Sequence, residues 1–319
     1  MKDLVLITGG LGYLGGRIAQ ELSKAGYRLR LTSRRIPTPE IAATAPAGAE
    51  LVAMDLFDKA SVRDAMLGVD HVVHLAAMNE NESEQDPEMA LQVNSVGTLR
   101  VLKAAEVGGV RRFIYFSTAH IYGAPLVGHL DESTCPRPVH PYAITHKVAE
   151  DFVLASGKKS QLEALVVRLS NGFGAPTNPY VNRWTLLVND LCRQAVNDHR
   201  LVLKSAGLQR RDFITLDDVG RAATHLVALN FAACGDGLFN LGGDGSTSIL
   251  EMAERVAGRC RVVLGRELSI ERPNPGPKDH DNDLRFMMDR IKATGFQLHS
   301  HIDREIDATL RLCRQVKGA

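Results

Sequence analysis

Two segments of this chain carry side chains suited to chemistry: Ser117-Thr118-Ala119-His120-Ile121-Tyr122-Gly123 and Pro141-Tyr142-Ala143-Ile144-Thr145-His146-Lys147. A hydroxyl from the first and a phenol from the second, brought onto one carbinol, are what hydride chemistry requires. The phenol takes or gives the hydroxyl proton while hydride moves to or from a nicotinamide. Free tyrosine ionises near pH 10, so Tyr142 needs a neighbouring cation to work near neutrality. On a helix of 3.6 residues per turn, His146 at i+4 lies about 40° from Tyr142, and Lys147 at i+5 about 140° away. A regular helix therefore brings His146 alongside, whereas a one-residue bulge brings Lys147. The regular helix is favoured because Glu150 and Asp151 then continue it undistorted. A histidine there can donate to a nicotinamide ribose, but it is a weaker and pH-dependent activator.

A dinucleotide needs its own cradle, and Thr8-Gly9-Gly10-Leu11-Gly12-Tyr13-Leu14-Gly15 supplies one. It follows the apolar run Leu4–Ile7, read as a buried strand, and opens a helical pattern near Gly16. Glycines there permit a tight turn, let backbone approach a pyrophosphate and let helix pack on strand, with the phosphates on the helix's unpaired amides. The spacing of Gly9, Gly12 and Gly15 makes the loop one residue longer than the compact GxGxxG form. At the end of the second strand, Ser33 stands where an NAD-selective site usually carries an acid, and Arg34 and Arg35 follow. The pair favours a 2′-phosphate, hence NADP(H) over NAD; an exposed basic turn is the plainer explanation. Asp55-Leu56 is suited to an adenine, carboxylate to the amino group and Leu to the ring. His74-Leu75-Ala76-Ala77 ends the fourth strand with small residues that let backbone lie against a cofactor. His74 is equally well explained as a core histidine.

These segments need a scaffold that gathers them at one edge. Apolar runs at 4–7, 28–32, 50–53, 69–75, 112–117 and 165–169 alternate with helical patterns at about 15–25, 59–66, 88–107 and 143–156. Such alternation predicts an α/β fold with a doubly wound parallel sheet, whose ligands bind beyond the strands' carboxyl ends. The rhythm breaks after Gly174. The expected division is a dinucleotide-binding domain over 1–174, to which 212–239 returns, and a smaller α/β substrate lid over 175–319. That second half holds a helix at 217–229, a glycine-rich stretch at 235–245 and a stiff loop at Pro273, Pro275 and Pro277. Lys+Arg 38 against Asp+Glu 37 leaves a net charge of +1, so no basic field recruits nucleic acid. The five cysteines lack CxxC spacing, and no His/Cys/acid pattern suggests a metal. No apolar stretch approaches the roughly 20 residues that cross a bilayer. With no leader pattern at the start, a cytoplasmic enzyme is expected.

The motifs resemble those of the extended short-chain dehydrogenase/reductases, in the nucleotide-sugar epimerase/dehydratase/reductase branch, almost end to end. The resemblance rests on TGGLGYLG at 8–15, DL at 55–56, HLAA at 74–77, Asn94 within VNSVGT, STAHIYG at 117–123 and PY at 141–142. It continues through RLSNGFG at 168–174, RRDFITLDDVGRA at 210–222 and LFNLGG at 238–243. It implies a Rossmann-like fold and a cofactor site of Gly9, Gly12, Tyr13, Leu14, Gly15, Ser33, Arg34, Asp55, Leu56, Leu75, Ala76, Ala77, Asn94, Ser117, Tyr142 and Lys147. It makes Thr118 the hydroxyl that meets the sugar oxygen and Tyr142 the acid/base, and sets Asn171 and Arg211 at a nucleotide-sugar diphosphate. The family pattern Tyr-x-x-x-Lys is broken here by His146, with Lys147 one place late. Dehydratases carry Asp-Glu after the catalytic hydroxyl; Ala119-His120 in that place disfavours elimination. His120 and His140 are possible assistants, although structural histidines are commoner. The implied activity is 4-epimerisation of a nucleotide-diphosphate sugar through NAD or NADP. The alternatives are an NADPH-dependent 4-keto-sugar reductase, or a weakened site that only binds the dinucleotide. A homodimer through helices 88–107 and 143–156 is expected.

Overall fold

The computed structural model describes residues 2–276 and 282–317. Its main sheet has seven strands among the described residues: β1 (Leu4–Thr8), β2 (Arg28–Ser33), β3 (Glu50–Ala53), β4 (His71–His74), β5 (Arg112–Thr118), β6 (Glu163–Leu169) and β7 (Leu238–Leu241). They lie in the order β7-β6-β5-β4-β1-β2-β3, and every neighbouring pair is parallel. The central strands are mostly aliphatic or aromatic, with polar residues at their ends, and are buried on both faces, as parallel strands under helices must be.

One face carries the helices Tyr13–Lys24 and Leu216–Ala228 over a core that includes Ile7, Ile18, Leu22, Ile114 and Val219. The other carries the helices Lys59–Ala65, Thr98–Val107 and Pro141–Lys159 over Leu6, Leu102, Phe113, Tyr115 and Val153. A third core, around Phe173, Leu191, Leu201, Phe213 and Ile306, lies among the helices Leu187–Asn197, Ile249–Leu264 and Ile302–Lys317. A small sheet of Ser246–Ser248, Arg210–Thr215 and Asn171–Phe173 borders it. Strand order reverses between β1 and β4. Their connections depart in opposite directions, which opens a crevice at the carboxyl edge.

Two expectations need correcting, and a third holds. The glycine-rich stretch 235–245 contains β7, whose Leu-Phe-Asn-Leu run pairs with β6 and completes the sheet. The expected helix 88–107 has three parts: an α turn at Pro87–Ala90, a π-helical segment at Leu91–Gly97 and an α-helix from Thr98. The helix of Tyr142 runs unbroken from Pro141 to Lys159, as the regular-helix reading expected, and the π-helical irregularity lies in its neighbour. Of the proline loop, Pro273 and Pro275 are coil, and Pro277 lies outside the described residues.

Candidate active site

The glycine loop is shaped by what a side chain would hit. Gly9 turns with φ +65, and a Cβ at Gly15 would sit 2.2 Å from the Gly9 carbonyl oxygen. Gly12 caps the helix Tyr13–Lys24 with extended backbone and no side-chain bond, so the first-turn amides face the cleft with the helix's partial positive charge. On the opposite wall the backbone of Ala76 lies 3.6 Å from where a Gly9 Cβ would be. A backbone cradle that excludes Cβ atoms and presents free amides fits a dinucleotide pyrophosphate.

That wall is pinned by a buried polar chain. Thr8 Oγ1 accepts the amides of Leu75 (2.9 Å) and Ala76 (3.0 Å) and donates its own proton to His74 Nδ1 (2.7 Å). The far nitrogen of His74 then donates to Thr98 Oγ1 (2.9 Å), which donates to the Asn94 carbonyl (2.6 Å). Burial holds the His74 imidazole neutral, pushed down to about 3. His74 is therefore the core histidine. Asn94, expected at the cofactor, is fully buried and uses both ends of its amide on protein. Its Oδ1 accepts Met78 N (2.7 Å) and its Nδ2 donates to Thr145 Oγ1 (3.0 Å), which ties the wall to the tyrosine helix from within the π segment.

At the adenine end a hollow of about 670 Å³ is lined by Leu11, Ser33, Arg34, Arg35, Ile41 and Asp55. Neither arginine has an acidic partner among the described residues. Leu56 does not face this hollow: it is buried in the core beside Gly97.

The main cleft, about 510 Å³, runs from the glycine loop past Ser117, Thr118, Tyr142 and His146. Thr118 ends β5, and its Oγ1 accepts the His120 amide at 3.1 Å. Tyr142 sits in the first turn of its helix, set by Pro141 and the capping His140, and lines the same cleft as Thr118, whose hydroxyl bears on its phenol. Burial pushes the phenol above its ordinary value, and the Glu80 charge adds to this. His146 packs against Tyr142 with ring centroids 4.2 Å apart and the rings tilted by 45°, and its Nδ1–H donates to the Tyr142 carbonyl at 2.9 Å. Burial pushes this imidazole down to about 4, so it is uncharged at neutral pH. With Nδ1–H occupied, neutral His146 offers Nε2 as an acceptor, which corrects the expectation of a donor. Lys147 points away and pairs with Asp151 at 2.5 Å on the exposed side, so it is corrected out of both the catalytic and the cofactor sets. Ser117 Oγ is buried at the cleft wall with no partner among the described residues.

Beyond Tyr142 the cleft continues into a hollow of about 210 Å³ lined by Asn171, Phe173, Arg211 and Phe213. Asn171 Nδ2 donates to the Asp212 carbonyl (2.8 Å). The Arg211 guanidinium meets the neutral Gln209 Oε1 at 3.4 Å and no carboxylate among the described residues. Its burial disfavours the charged form, so an anionic ligand is the partner it lacks.

A model of the NAD dependent epimerase/dehydratase family matches residues 5–242. The chain belongs to this family. It is 30% identical over 275 residues, 80% of each chain, to a UDP-glucose 4-epimerase of Streptomyces lividans. Its fold matches a Thermus thermophilus UDP-glucose 4-epimerase solved with NAD (TM-score 0.78, 25% identical, 98% and 99% of the two chains). It also matches a Pseudomonas aeruginosa protein, RMD, solved with NADPH (TM-score 0.78, 23% identical, 99% and 100% covered). Relatives named epimerases and dehydratases place this member among NAD(P)-dependent enzymes. What distinguishes it is an uncharged ring where the family's resemblance implies a lysine.

Glu80, Arg183 and Leu186 line the cleft and were not anticipated. Glu80 opens a short helix after β4, and its carboxylate pairs with Arg183 at 3.5 Å. The signal was available: Asn79 and Glu82 form a capping box, which marks a helix start at the sheet's carboxyl edge.

Proposed function

We propose that this family member is a nucleotide-sugar 4-epimerase that moves hydride at the C4 carbinol, with Tyr142 as acid/base. The observation that supports this is that Thr118 and Tyr142 line one cleft with the glycine loop, and that Asn171 is shared between that cleft and the Arg211 hollow. Bound NAD or NADP supplies the hydride acceptor and donor. Thr118 orients the carbinol oxygen, Tyr142 takes its proton as the carbon is oxidised, and the same phenol returns it once the ketone has presented its other face. Asn171 and Arg211 hold the diphosphate, while Asn94 and His74 keep the cleft wall in register. Isomerisation of a nucleotide sugar without added cofactor, abolished by Tyr142→Phe, tests the proposal. Unchanged activity in that variant with dinucleotide still bound would leave a binding protein.

A specific pair of observations favours a second reading, NADPH-dependent reduction of a 4-keto sugar. Arg34 and Arg35 line the hollow beside the glycine loop with no acidic partner among the described residues, and a neutral His146 leaves Tyr142 better suited to giving a proton than to taking one. Stoichiometric consumption of NADPH with a keto sugar distinguishes it. We also infer a homodimer: Met89, Leu91, Ile144 and Phe152 are exposed apolar residues on the two helical segments expected to pair. The five cysteines are free, and no helix among the described residues is long and apolar enough to cross a membrane. The free thiols support a cytoplasmic site of action.

A further inference from the structure

Two polar side chains at the junction of the main cleft and the Arg211 hollow have no part in hydride transfer. Glu80 and His120 line both spaces. His120 lies two residues beyond Thr118 in a short 3-10 turn, its amide held by the Thr118 hydroxyl. Its Nδ1 is buried with no hydrogen-bond partner among the described residues. A protonated Nδ1 would leave a buried N–H orphaned, whereas a bare Nδ1 orphans only a lone pair, and buried N–H groups are the rarer orphans. The favoured neutral tautomer therefore carries its hydrogen on Nε2. Three groups bear on the ring: the Glu80 carboxylate, His140 with its ring centroid 5.5 Å away, and Arg211. Burial keeps the imidazole neutral at pH 7. Glu80 in turn acts on Tyr142 and His146, which places its charge at the reacting end of the cleft.

We propose that Glu80 and His120 form a hydroxyl-recognition pair that selects nucleotide sugars bearing a free hydroxyl beside the reacting carbinol and rejects the corresponding deoxy sugar. A hydroxyl is the group that both accepts a hydrogen bond, here from His120 Nε2–H, and donates one, here to the Glu80 carboxylate. A deoxy analogue leaves both protein groups unpaired, which is costlier than the loss of a favourable contact. Arg183 pairs with the Glu80 carboxylate at 3.5 Å and fixes it at the mouth of both spaces. The proposal deepens the nucleotide-sugar reading and rests on it.

The test measures binding, so turnover is not required. Protein loaded with NADP⁺ is titrated with UDP-glucose, dTDP-glucose and GDP-mannose, then with the 3-deoxy and 6-deoxy analogues of the tightest binder. One deoxy analogue is expected to bind at least about tenfold more weakly, as the loss of one to two hydrogen bonds implies. His120→Ala and Glu80→Gln should each weaken the parent sugar toward that analogue and leave the analogue itself unchanged. A variant that merely disturbed the fold would weaken both ligands alike, and that outcome overturns the pair, as does equal binding of parent and deoxy sugars by the unaltered protein. Either of these leaves the nucleotide-sugar reading standing. Failure of all three nucleotide sugars to bind refutes both.

Discussion

His146→Lys is the substitution that most directly tests how this site differs from its family. The imidazole at that position is neutral, held down to about 4 by burial, and its ring lies 4.2 Å from the Tyr142 ring. An ammonium in its place, about 6 Å from the phenolic oxygen, would favour phenolate by ~3 kcal/mol at an effective dielectric near 20. That corresponds to about two pH units, before the opposing cost of desolvating the lysine. The sign follows directly: a cation lowers the phenol's proton affinity, so the alkaline limb of the oxidation rate moves to lower pH. The assay is the single-turnover appearance of reduced nicotinamide from a nucleotide sugar, from about pH 6 to about pH 10. The parent enzyme should climb across this range, because burial keeps Tyr142 protonated. His146→Lys should show the same climb displaced about two units to lower pH, roughly a hundredfold faster at a given pH in this window. His146→Gln should track the parent profile, since removing a neutral ring removes no charge. If His146→Gln moved the limb to higher pH, the imidazole was charged. If His146→Lys left it in place, Tyr142 is not the titrating base. Either result refutes the reasoning.

Other consequences are equally specific. His74 and His146 titrate at about 3 and about 4 in the folded chain, below the unfolded value. Their stabilising contribution is therefore present above pH 6.5 and is lost as pH falls toward their folded values. Together they remove about 2.7 kcal/mol per pH unit between roughly pH 6 and 4, and His146→Gln should roughly halve that slope in urea unfolding. Gly15→Ala should abolish dinucleotide binding in a fluorescence titration, because the new Cβ meets the Gly9 carbonyl at 2.2 Å and reshapes the loop. Arg34→Ala should weaken NADPH about tenfold to a hundredfold and leave NADH nearly unchanged, as the loss of a charged hydrogen bond to a 2′-phosphate requires. Phe152→Asp, at a side chain 43% exposed on the tyrosine helix, should shift sedimentation from dimer to monomer.

How much of this was legible depended on whether a residue's surroundings repeat a local rule. The strands were readable because Leu4–Thr8, Arg112–Thr118 and Glu163–Leu169 are long apolar runs, and burial on both faces leaves such runs no alternation to obscure. β7 was missed because its four residues sit among glycines, where turn signals outweigh a short apolar run. The choice between His146 and Lys147 was settled by helical geometry alone, since one residue of offset is about 100° of rotation. Asn94 and Leu56 misled because a motif position carries no direction: one side chain turns into a buried junction and the other into the core.

The tautomers were beyond the sequence altogether. Which nitrogen of His74 carries a proton follows from two amides already bound to Thr8, and that of His146 from a carbonyl one turn back. These partners converge from β1, β4, the π segment and the tyrosine helix, and only the assembled sheet brings them together. The same assembly explains why the chain Thr8–His74–Thr98–Asn94–Thr145 is neutral throughout: its hydroxyls, imidazole and amide satisfy one another and nearby backbone groups, so no charge has to be buried behind the cofactor wall. The fixed charges that bear on Tyr142 are instead Glu80 and Arg183, which line the same cleft and act in opposite directions. That is why the ionisation of Tyr142, rather than the geometry around it, is the property to measure first.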